Sequence, residues 1–397
     1  MRYMIRRVAT VSTVGWLALI VPLNAQRPLF EVAAPIPIGG GTGGLTLADL
    51  NGDGHLDLLV NRVQRGIEVR FGNGRGQFAP APFDSLTPAQ DRPGGPLDLR
   101  IEPGSTVLGD VTGDGEVDLV VAHKDRDKEY ISIFPGDGHG AFRRTKRHST
   151  NKAFEFWKPV IRLADVDGNG TTDIVTSNGR RNTIEILLSD GRGRFAPAPV
   201  VTLTPGSSFY TFGVGDMDAD GHVDLLTTFD STSTRVELRR GIGNGRFQEP
   251  SGGVAVRAGA RIAAIADLNA DSRPDVIVSH VDTGWLSILL NTGRGSFTQA
   301  PQSPRDLGLQ TYGVVVTDVN GDRRPDIVAT TVNSRVRPLE SKVAVLLGDS
   351  LTAAPGSPFP VGGGAFSLSV GDIDEDGKPD VVTSSLEGDS ISVLSGR

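Results

Sequence analysis

The chain has 397 residues, of which 38% are hydrophobic and only 6% aromatic, and its formal net charge is −7. Its 51 glycines and 25 prolines favour many short strands joined by tight turns over long helices. The sequence contains no cysteine, which excludes disulfide bonds and thiol chemistry. The acidic balance argues against nucleic acid as a partner.

The first 25 residues resemble a secretory signal peptide. Three arginines precede an apolar run over residues 8–21, and Leu23-Asn24-Ala25 follows as the cleavage site. An uncleaved membrane anchor is the alternative, but the run is shorter than the roughly 20 residues that a span needs. We therefore expect a secreted, periplasmic or cell-surface protein with no stable membrane span after cleavage, which would take the net charge from −7 to −10.

One nine-residue pattern recurs seven times in the chain. It reads acid, any residue, Asp, Asn or Thr, any residue, Asp or Asn, usually Gly, two further residues, and Asp. The copies, called loop 1 to loop 7 in chain order, begin at Asp49, Asp110, Asp165, Asp216, Asp267, Asp318 and Asp372. Successive first aspartates are 61, 55, 51, 51, 51 and 54 residues apart, so the chain is built from repeats of about 51 residues.

The surroundings of each loop predict strands. An apolar run such as residues 314–317 precedes the loop, and a β-branched run such as residues 276–278 follows it. A third run, a glycine-rich turn and a fourth run complete the repeat, and the turns are too short for parallel crossovers. We therefore predict an all-β fold, a seven-bladed β-propeller of four-stranded antiparallel blades that occupies residues 26–397 as one domain.

The two chain ends complement each other. The seventh repeat stops at its third run, residues 390–394, whereas residues 28–35 resemble the fourth run of other repeats, such as 194–197. We predict that residues 29–38 supply the missing strand of the last blade, which closes the ring and covers an otherwise unpaired edge.

The loops predict metal binding because clustered carboxylates repel one another unless a cation lies among them. Oxygen ligands select a hard ion such as calcium, and the loop resembles the start of an EF-hand. It lacks the Glu that an EF-hand has at its twelfth position, which here falls inside the following strand. We expect up to seven structural calcium ions, held by side chains at the first, third, fifth and ninth positions and by the carbonyl of the seventh. These positions are Asp49, Asn51, Asp53, His55, Asp57, Asp110, Thr112, Asp114, Glu116, Asp118, Asp165, Asp167, Asn169, Thr171, Asp173, Asp216, Asp218, Asp220, His222, Asp224, Asp267, Asn269, Asp271, Arg273, Asp275, Asp318, Asn320, Asp322, Arg324, Asp326, Asp372, Asp374, Asp376, Lys378 and Asp380.

An alternative reading needs no metal, because Asp and Asn side chains can cap such turns through their own hydrogen bonds. Three loops depart from the pattern: Thr112 stands at the third position of loop 2, and Ser272 and Arg323 replace Gly at the sixth position of loops 5 and 6. We expect weaker metal binding in these three loops.

The repeats resemble the FG-GAP/VCBS family, whose calcium-loop propellers include the integrin α-subunit head and many exported bacterial proteins. The resemblance covers nearly the whole mature chain and implies a structural metal in each first-to-second-strand turn. It implies function less closely, since relatives serve in cell adhesion, in glycan binding and, in some cases, in polysaccharide cleavage.

A ligand would bind the face opposite the loops, where the predicted turns differ from blade to blade. Aromatic side chains beside cations suit a glycan or an acidic peptide, although solvated turns and packing between blades are the alternative. The turn residues are Arg62, Arg65, residues 124–128, Tyr130, Arg180, Arg181, Asp282, Trp285, Arg335 and Arg337, and the residues expected around the channel mouth are Trp157, Tyr210, Arg261, Tyr312 and Phe366.

The strongest basic run covers residues 143–148. It would suit an anionic polysaccharide or envelope surface, and a solvated outer strand is the alternative.

We expect no catalytic residues. His123 and His280 are the two histidines outside loops, turns and edges, and they occupy equivalent second strands three blades apart. They should lie at least about 10 Å apart, too far for one proton relay. The expected activity is therefore binding or scaffolding by a monomer, and the alternative is a polysaccharide lyase on the same propeller.

Overall fold

The structure is a computed structural model, and it describes residues 27–62, 66–82, 106–125, 128–142, 146–149, 160–178, 182–203, 209–229, 234–250, 253–280, 283–348 and 350–397. The predicted signal peptide lies outside these residues and stays a prediction. No helix in the described part of the chain has the length and apolarity that a membrane crossing requires.

The strands of the described ranges form seven separate antiparallel sheets, which confirms the predicted seven-bladed propeller. Blades 1 and 2 consist of β3 (Thr42–Ala48), β4 (Asp57–Arg62), β5 (Gly66–Gly72), β6 (Phe78–Pro80), β7 (Thr106–Gly109), β8 (Asp118–Asp125), β9 (Lys128–Phe134) and β10 (Lys146–Ser149). Blades 3 and 4 consist of β11 (Ile161–Ala164), β12 (Asp173–Asn178), β13 (Thr183–Ser189), β14 (Phe195–Pro197), β15 (Val201–Thr202), β16 (Phe209–Gly215), β17 (Asp224–Phe229), β18 (Arg235–Arg239) and β19 (Gly253–Ala255).

Blades 5 and 6 follow the same plan. They consist of β20 (Ala260–Ala266), β21 (Asp275–His280), β22 (Trp285–Gly293), β23 (Ser296–Gln299), β24 (Arg305–Asp306), β25 (Gln310–Thr317), β26 (Asp326–Asn333), β27 (Glu340–Leu347), β28 (Thr352–Ala353) and β29 (Phe359–Val361). Blade 7 consists of β30 (Leu368–Gly371), β31 (Asp380–Thr383), β32 (Ser390–Gly396), β1 (Phe30–Val32) and β2 (Ile36–Pro37).

The hydrophobic core is divided among the gaps between blades. Among the described residues, seven clusters of buried side chains each combine residues from two adjacent blades, so the ring of contacts is continuous. This packing explains why the second strands have unbroken apolar sequences. Leu58, Leu59 and Val60 are all fully buried because both faces of the blade are covered.

Proline interrupts the outer strand of several blades. In blade 3, β14 and β15 both pair with β13, and Pro199 lies in the break between them. Proline cannot donate a ladder hydrogen bond, so the outermost strand, which needs donors on one side only, is where a sheet accepts it. The fourth strand predicted for these blades is therefore present in two short pieces.

The N-terminal segment closes the ring, as predicted. Strand β1 pairs antiparallel with the C-terminal strand β32, with Phe30 opposite Gly396, and β2 continues the pairing with Ile36 opposite Ile391. Phe30 is 2% exposed and packs edge-on against Phe359 of blade 6, with ring centroids 5.5 Å apart. The first and last strands of the described chain thus hold each other in one blade.

Candidate metal centre

All seven aspartate loops connect the first strand of a blade to the second, and their ninth position begins the second strand. The ninth aspartate is almost fully buried in every blade. In loop 3, one oxygen of Asp173 accepts the Val166 amide at 2.9 Å and the other accepts the Ser189 amide at 2.7 Å. The same pair of bonds recurs in the other six blades, from the second residue of the loop and from a residue near or just after the end of the third strand. The acceptors are Asp57, Asp118, Asp224, Asp275, Asp326 and Asp380.

Burial of these carboxylates favours their protonated form. Desolvation raises the pKa of all seven ninth-position aspartates, against the opposing effect of the amide hydrogen bonds. The pKa reaches about 6 for Asp173 and Asp224, where neighbouring loop carboxylates add to the rise. A divalent cation nearby would reverse this effect, because it stabilises the charged form.

The first aspartate of each loop organises the turn. In loop 1, Asp49 accepts the Gly52 amide at 2.8 Å and the Gly54 amide at 2.9 Å. These bonds require a left-handed backbone at the fourth and sixth positions, with φ of 73° and 87° in loop 1. The φ angle at these two positions is also positive where the residue is not glycine, namely at Ala219, Ala270, Ser272, Arg323 and Glu375. Ser272 and Arg323, which replace glycine at the sixth position of loops 5 and 6, therefore add backbone strain to the turn without changing its shape.

The fifth position also accepts a backbone hydrogen bond. The amide of His55 donates to Asp53 at 2.8 Å, and the equivalent bond from the seventh to the fifth residue is present in every loop. The side-chain capping that the metal-free reading invoked is thus real. It leaves second lone pairs on the same oxygens, so it does not compete with a bound cation.

Three loops bring three carboxylates together. In loops 3, 4 and 7, one oxygen from each of the first, third and ninth positions lies within 4.8 Å of the other two. These three loops are the ones with Asp at the third position. The clusters are Asp165, Asp167 and Asp173; Asp216, Asp218 and Asp224; and Asp372, Asp374 and Asp380.

Loop 4 has an additional sign of an ion site. The Oδ1 atom of Asp218 is buried and has no hydrogen-bond partner, while its Oδ2 atom forms an ion pair with Arg240 at 3.0 Å. A buried carboxylate oxygen without a partner carries a desolvation cost that a coordinated cation would remove. The donor set of these three loops therefore fits a hard divalent cation.

The other four loops have an uncharged side chain at the third position. Asn51, Asn269 and Asn320 supply amide oxygens there, and loop 2 has Thr112. In loop 5, Arg273 forms an ion pair with Asp271, which places a cation where a metal would compete for the same carboxylate. Loop 7 has a similar pair, with Lys378 Nζ 2.9 Å from Asp376, but there the three clustered carboxylates remain. The predicted carbonyl ligands at the seventh position stay a prediction.

The loops also hold neighbouring blades together. The carbonyl of the second loop residue accepts an amide from the glycine-rich turn of the next blade: Gly245 donates to Val166 at 3.2 Å, and Gly295 to Met217 at 3.1 Å. Loops 7 and 1 are joined by His55 and Glu375. Order in a loop is therefore transmitted across the gap between blades, and no pattern within one repeat indicates these contacts.

His280, one of the two histidines considered for catalysis, is buried and hydrogen-bonded through both ring nitrogens. It is 2% exposed, its Nδ1 lies 3.1 Å from the Ala258 carbonyl, and its Nε2 lies 2.9 Å from the Ser287 hydroxyl. The carbonyl can only accept, so Nδ1 donates to it and Nε2 accepts from the hydroxyl. Burial lowers the pKa of His280, which favours this neutral form. His123 lies at the equivalent place in β8.

On the opposite face, the predicted turn cations differ in availability. Arg62 is bound to Glu68 at 2.7 Å and to the Gly39 carbonyl at 2.8 Å, so it is committed to the fold. Arg335 is exposed in the turn of blade 6. Trp285, also predicted for this face, begins β22, and Arg257, which the sequence analysis did not single out, lies 4.4 Å from its ring centroid. Residues 124, 125 and 128 belong to strands and not to a turn, Arg65, Trp157, Arg180, Arg181 and Asp282 lie outside the described residues, and Tyr210 is described only as part of β16.

Of the predicted channel-mouth residues, Tyr312 and Phe366 are in contact, with ring centroids 4.6 Å apart. The basic run is described from Lys146 onward, where residues 146–149 form the outermost strand of blade 2. Sequence reasoning missed Val336 and Leu386, two exposed apolar side chains on this face, because single aliphatic residues in turns carry no pattern.

The fold and the loops together define a class, the seven-bladed β-propellers with an acidic loop between the first and second strands of each blade. The FG-GAP-like repeat matches residues 110–176, 165–227, 216–278 and 267–329, more than half of the chain. The chain belongs to this family, and the fold is that of a binding or scaffolding module. No curated protein matches the sequence.

Solved structures share the fold at low sequence identity. The crystal structure of BBS1N in complex with ARL6DN, soaked with mercury, has a TM-score of 0.56 and 14% identity, and the match covers 94% of this chain and 98% of that one. A protein from Lactobacillus plantarum has a TM-score of 0.56 and 12% identity, covering 84% and 91% of the two chains. At these identities the comparison supports the propeller fold alone.

Proposed function

We propose that this chain is an exported propeller, stabilised by calcium, that binds a glycan or a protein through the face opposite its loops and catalyses no reaction. The observation that carries the metal part of the proposal is the convergence of three carboxylates within 4.8 Å in each of loops 3, 4 and 7. The signal-like composition of the first 25 residues supports export.

Calcium fits the donor chemistry better than other ions. The converging ligands are carboxylates, which favours hard cations, and irregular loops with backbone carbonyls suit calcium's six to eight ligands better than magnesium's strict octahedron. Bound calcium would neutralise the mutual repulsion of the clustered carboxylates. In loop 3 the side chains that would hold it are Asp165, Asp167 and Asp173.

The proposed binding role rests on a difference between the two faces of the propeller. The loops and the glycine-rich turns share one face and are committed to contacts between blades, such as the bond from Gly245 to Val166. The turns of the other face vary in sequence and include exposed aromatic, aliphatic and basic side chains. Surfaces of that kind are where ligands bind rigid scaffolds.

Calorimetric titration of calcium into the metal-free mature chain tests the metal part. We expect at least three tight sites, together with an increase in melting temperature, since each site contributes about 2.7 kcal/mol when free calcium is 100 times its Kd. Magnesium at equal concentration is the control and should stabilise less. Absence of heat and of any melting shift would refute the calcium proposal.

A panel of acidic polysaccharides tests the binding part against the lyase alternative. We expect the immobilised chain to retain some of these polysaccharides and to release no unsaturated sugar products. Growth of ultraviolet absorbance from such products, dependent on the chain, would contradict the proposal that the protein only binds.

A further inference from the structure

Three of the aspartate loops contain an asparagine that is followed directly by glycine. The pairs are Asn51-Gly52 in loop 1, Asn169-Gly170 in loop 3 and Asn320-Gly321 in loop 6. In such a pair the glycine nitrogen can attack the side-chain carbon of the asparagine, because glycine has no Cβ that hinders the approach. This reaction turns asparagine into an acidic residue, so it would change the charge of the loop.

In loops 1 and 6, a carboxylate accepts the hydrogen of the glycine nitrogen. The Gly52 amide donates to Oδ1 of Asp49 at 2.8 Å. The Gly321 amide donates to Oδ1 of Asp318, also at 2.8 Å. A carboxylate in this place polarises the N–H bond and can take its proton, as a general base does. Both glycines are exposed, so water reaches the pair.

A backbone amide donates to the side-chain oxygen of the same asparagine. Asp53 donates to Oδ1 of Asn51 at 2.9 Å, and Asp322 donates to Oδ1 of Asn320 at 2.8 Å. Such a donor withdraws electrons from the side-chain carbon and stabilises the negative charge that develops on the oxygen when the nitrogen adds to it. Each of the two asparagines therefore lies between a base for the attacking nitrogen and a donor for its own oxygen.

Loop 3 has the same arrangement at its fifth position. The Gly170 amide donates to Oδ2 of Asp165 at 2.8 Å, and the Thr171 amide donates to Oδ1 of Asn169 at 2.7 Å. An added Cβ at Gly170 would meet nothing within 4 Å. The peptide after the asparagine thus has room to rotate toward the side chain.

We propose that Asn51, Asn169 and Asn320 are sites of deamidation that their own loops promote. In loop 1, the Gly52 nitrogen attacks Cγ of Asn51, and its proton passes to the Asp49 carboxylate. The new N–Cγ bond closes a succinimide ring, the Cγ–Nδ2 bond breaks, and Nδ2 takes up that proton and leaves as ammonia. Water then opens the ring at either of its carbonyl carbons, which gives aspartate or isoaspartate. One water is consumed for each ammonia released.

The aspartate product would bring these loops to the composition of their neighbours. Loops 1 and 6 would then have Asp at the first, third and ninth positions, as loops 3, 4 and 7 do. Asn169 is the only asparagine at a fifth position, and the other six loops have Asp there. The isoaspartate product would instead lengthen the backbone of the turn. This inference goes beyond the proposed function and does not depend on it.

Peptide mapping by mass spectrometry tests the proposal on the folded mature chain, incubated at constant neutral pH without added metal. We expect Asn51 and Asn320 to deamidate at least several-fold faster than Asn244, which is also followed by glycine. The Gly245 amide donates to the Val166 carbonyl at 3.2 Å, so this control has the same dipeptide with a much weaker base on its nitrogen. Chromatography of the peptides separates the aspartate from the isoaspartate product.

Two further comparisons separate the effect of the loop from that of the dipeptide. In the urea-unfolded chain, the rates of all Asn-Gly pairs should converge. Asn269 of loop 5 should react slowly in both states because Ala270 follows it. Rates for Asn51 and Asn320 in the folded chain that equal or fall below the rate of Asn244 would overturn the proposal.

Variants of the base test its role within one chain. Asp49→Asn keeps an oxygen that can accept a hydrogen bond but removes the charge, and it should slow deamidation of Asn51 at least about tenfold. Asn320 of the same chain is the internal control and should keep its rate. Asp318→Asn should produce the reverse result, and melting temperatures show that both variants are folded. An unchanged rate at Asn51 in Asp49→Asn would overturn the role of the aspartate.

Discussion

The two faces of the propeller differ in how much their sequence repeats. On the loop face, the same backbone hydrogen bonds to the first, fifth and ninth positions recur in all seven blades, even where Ser272 or Arg323 replaces glycine. On the opposite face, the turns between the second and third strands share no such pattern: residues 334–339 read SRVRPL in blade 6, and residues 384–389 read SSLEGD in blade 7. The repeated residues form the bonds that order each loop, whereas the residues of the opposite face differ from blade to blade.

Within each loop, the ninth and third positions differ in what their side chains contact. The ninth position uses both oxygens on backbone amides in every blade, whereas the third position varies among Asp, Asn and Thr. The ninth aspartate therefore holds the turn itself, and the third position would set how much negative charge a bound cation meets. The experiments below test these contrasts.

The largest effect is expected from replacing a ninth aspartate. Asp173→Ala leaves the buried amides of Val166 and Ser189 without acceptors, which costs about 2–5 kcal/mol. Asp167→Ala, the third-position control in the same loop, should cost less than about 1 kcal/mol without calcium and should remove most of that loop's calcium stabilisation. Urea unfolding of both variants, with and without calcium, measures the difference. Equal losses in calcium-free buffer would remove the distinction between the two positions.

A second effect concerns pH. The folded pKa of Asp173 and Asp224 is about 6, above that of an unfolded aspartate, so the folded state takes up protons first. Through these groups, the calcium-free chain should gain stability as the pH falls from about 7 to about 4, with no further gain below. The lowered pKa of His280 acts in the opposite sense, so the measurement must isolate one aspartate.

The difference in unfolding free energy between wild type and Asp224→Asn, followed over this pH range without calcium, isolates the Asp224 contribution. With calcium present the slope should reverse, because protons then compete with the ion for the carboxylates. A difference independent of pH would contradict the raised pKa.

A smaller effect is expected from relieving backbone strain. Ser272 has a φ of 66°, so Ser272→Gly should stabilise the chain by about 0.5–1 kcal/mol. The converse control is Gly54→Ala in loop 1, where φ is 87° and an added Cβ would meet nothing within 4 Å. It should destabilise by a similar amount through conformation alone. Chemical denaturation of both variants provides the comparison, and a loss of stability in Ser272→Gly would show that the side chain has another role.

The smallest effect on stability is expected on the opposite face. Arg335→Glu changes the charge of an exposed turn residue and should shift the free energy of unfolding by less than about 0.5 kcal/mol. A larger loss, measured by the same denaturation curves, would mean that this face also holds the ring together and would weaken the contrast between the faces.

The fold could be predicted almost completely from the chain. Seven copies of one loop at near-constant spacing fix the number of blades, and the complementary ends fix the closing blade that β1 and β32 form. Prediction was less complete at the outer strands, where Pro199 and its counterparts split the fourth strand. The candidate ligands were identified by residue type, but the oxygens that accept backbone hydrogen bonds were not, because that depends on which amides approach each carboxylate.

The sequence by itself determined what depends on local pattern: strand order, turn shape, and the presence of an acid at each first and ninth loop position. Tertiary structure alone decided what depends on residues far apart in the chain. The Val166 carbonyl meets the Gly245 amide, and Tyr312 meets Phe366, only because neighbouring blades pack face to face. Contacts of that kind are set by the closure of the ring, and no window of one repeat contains both partners.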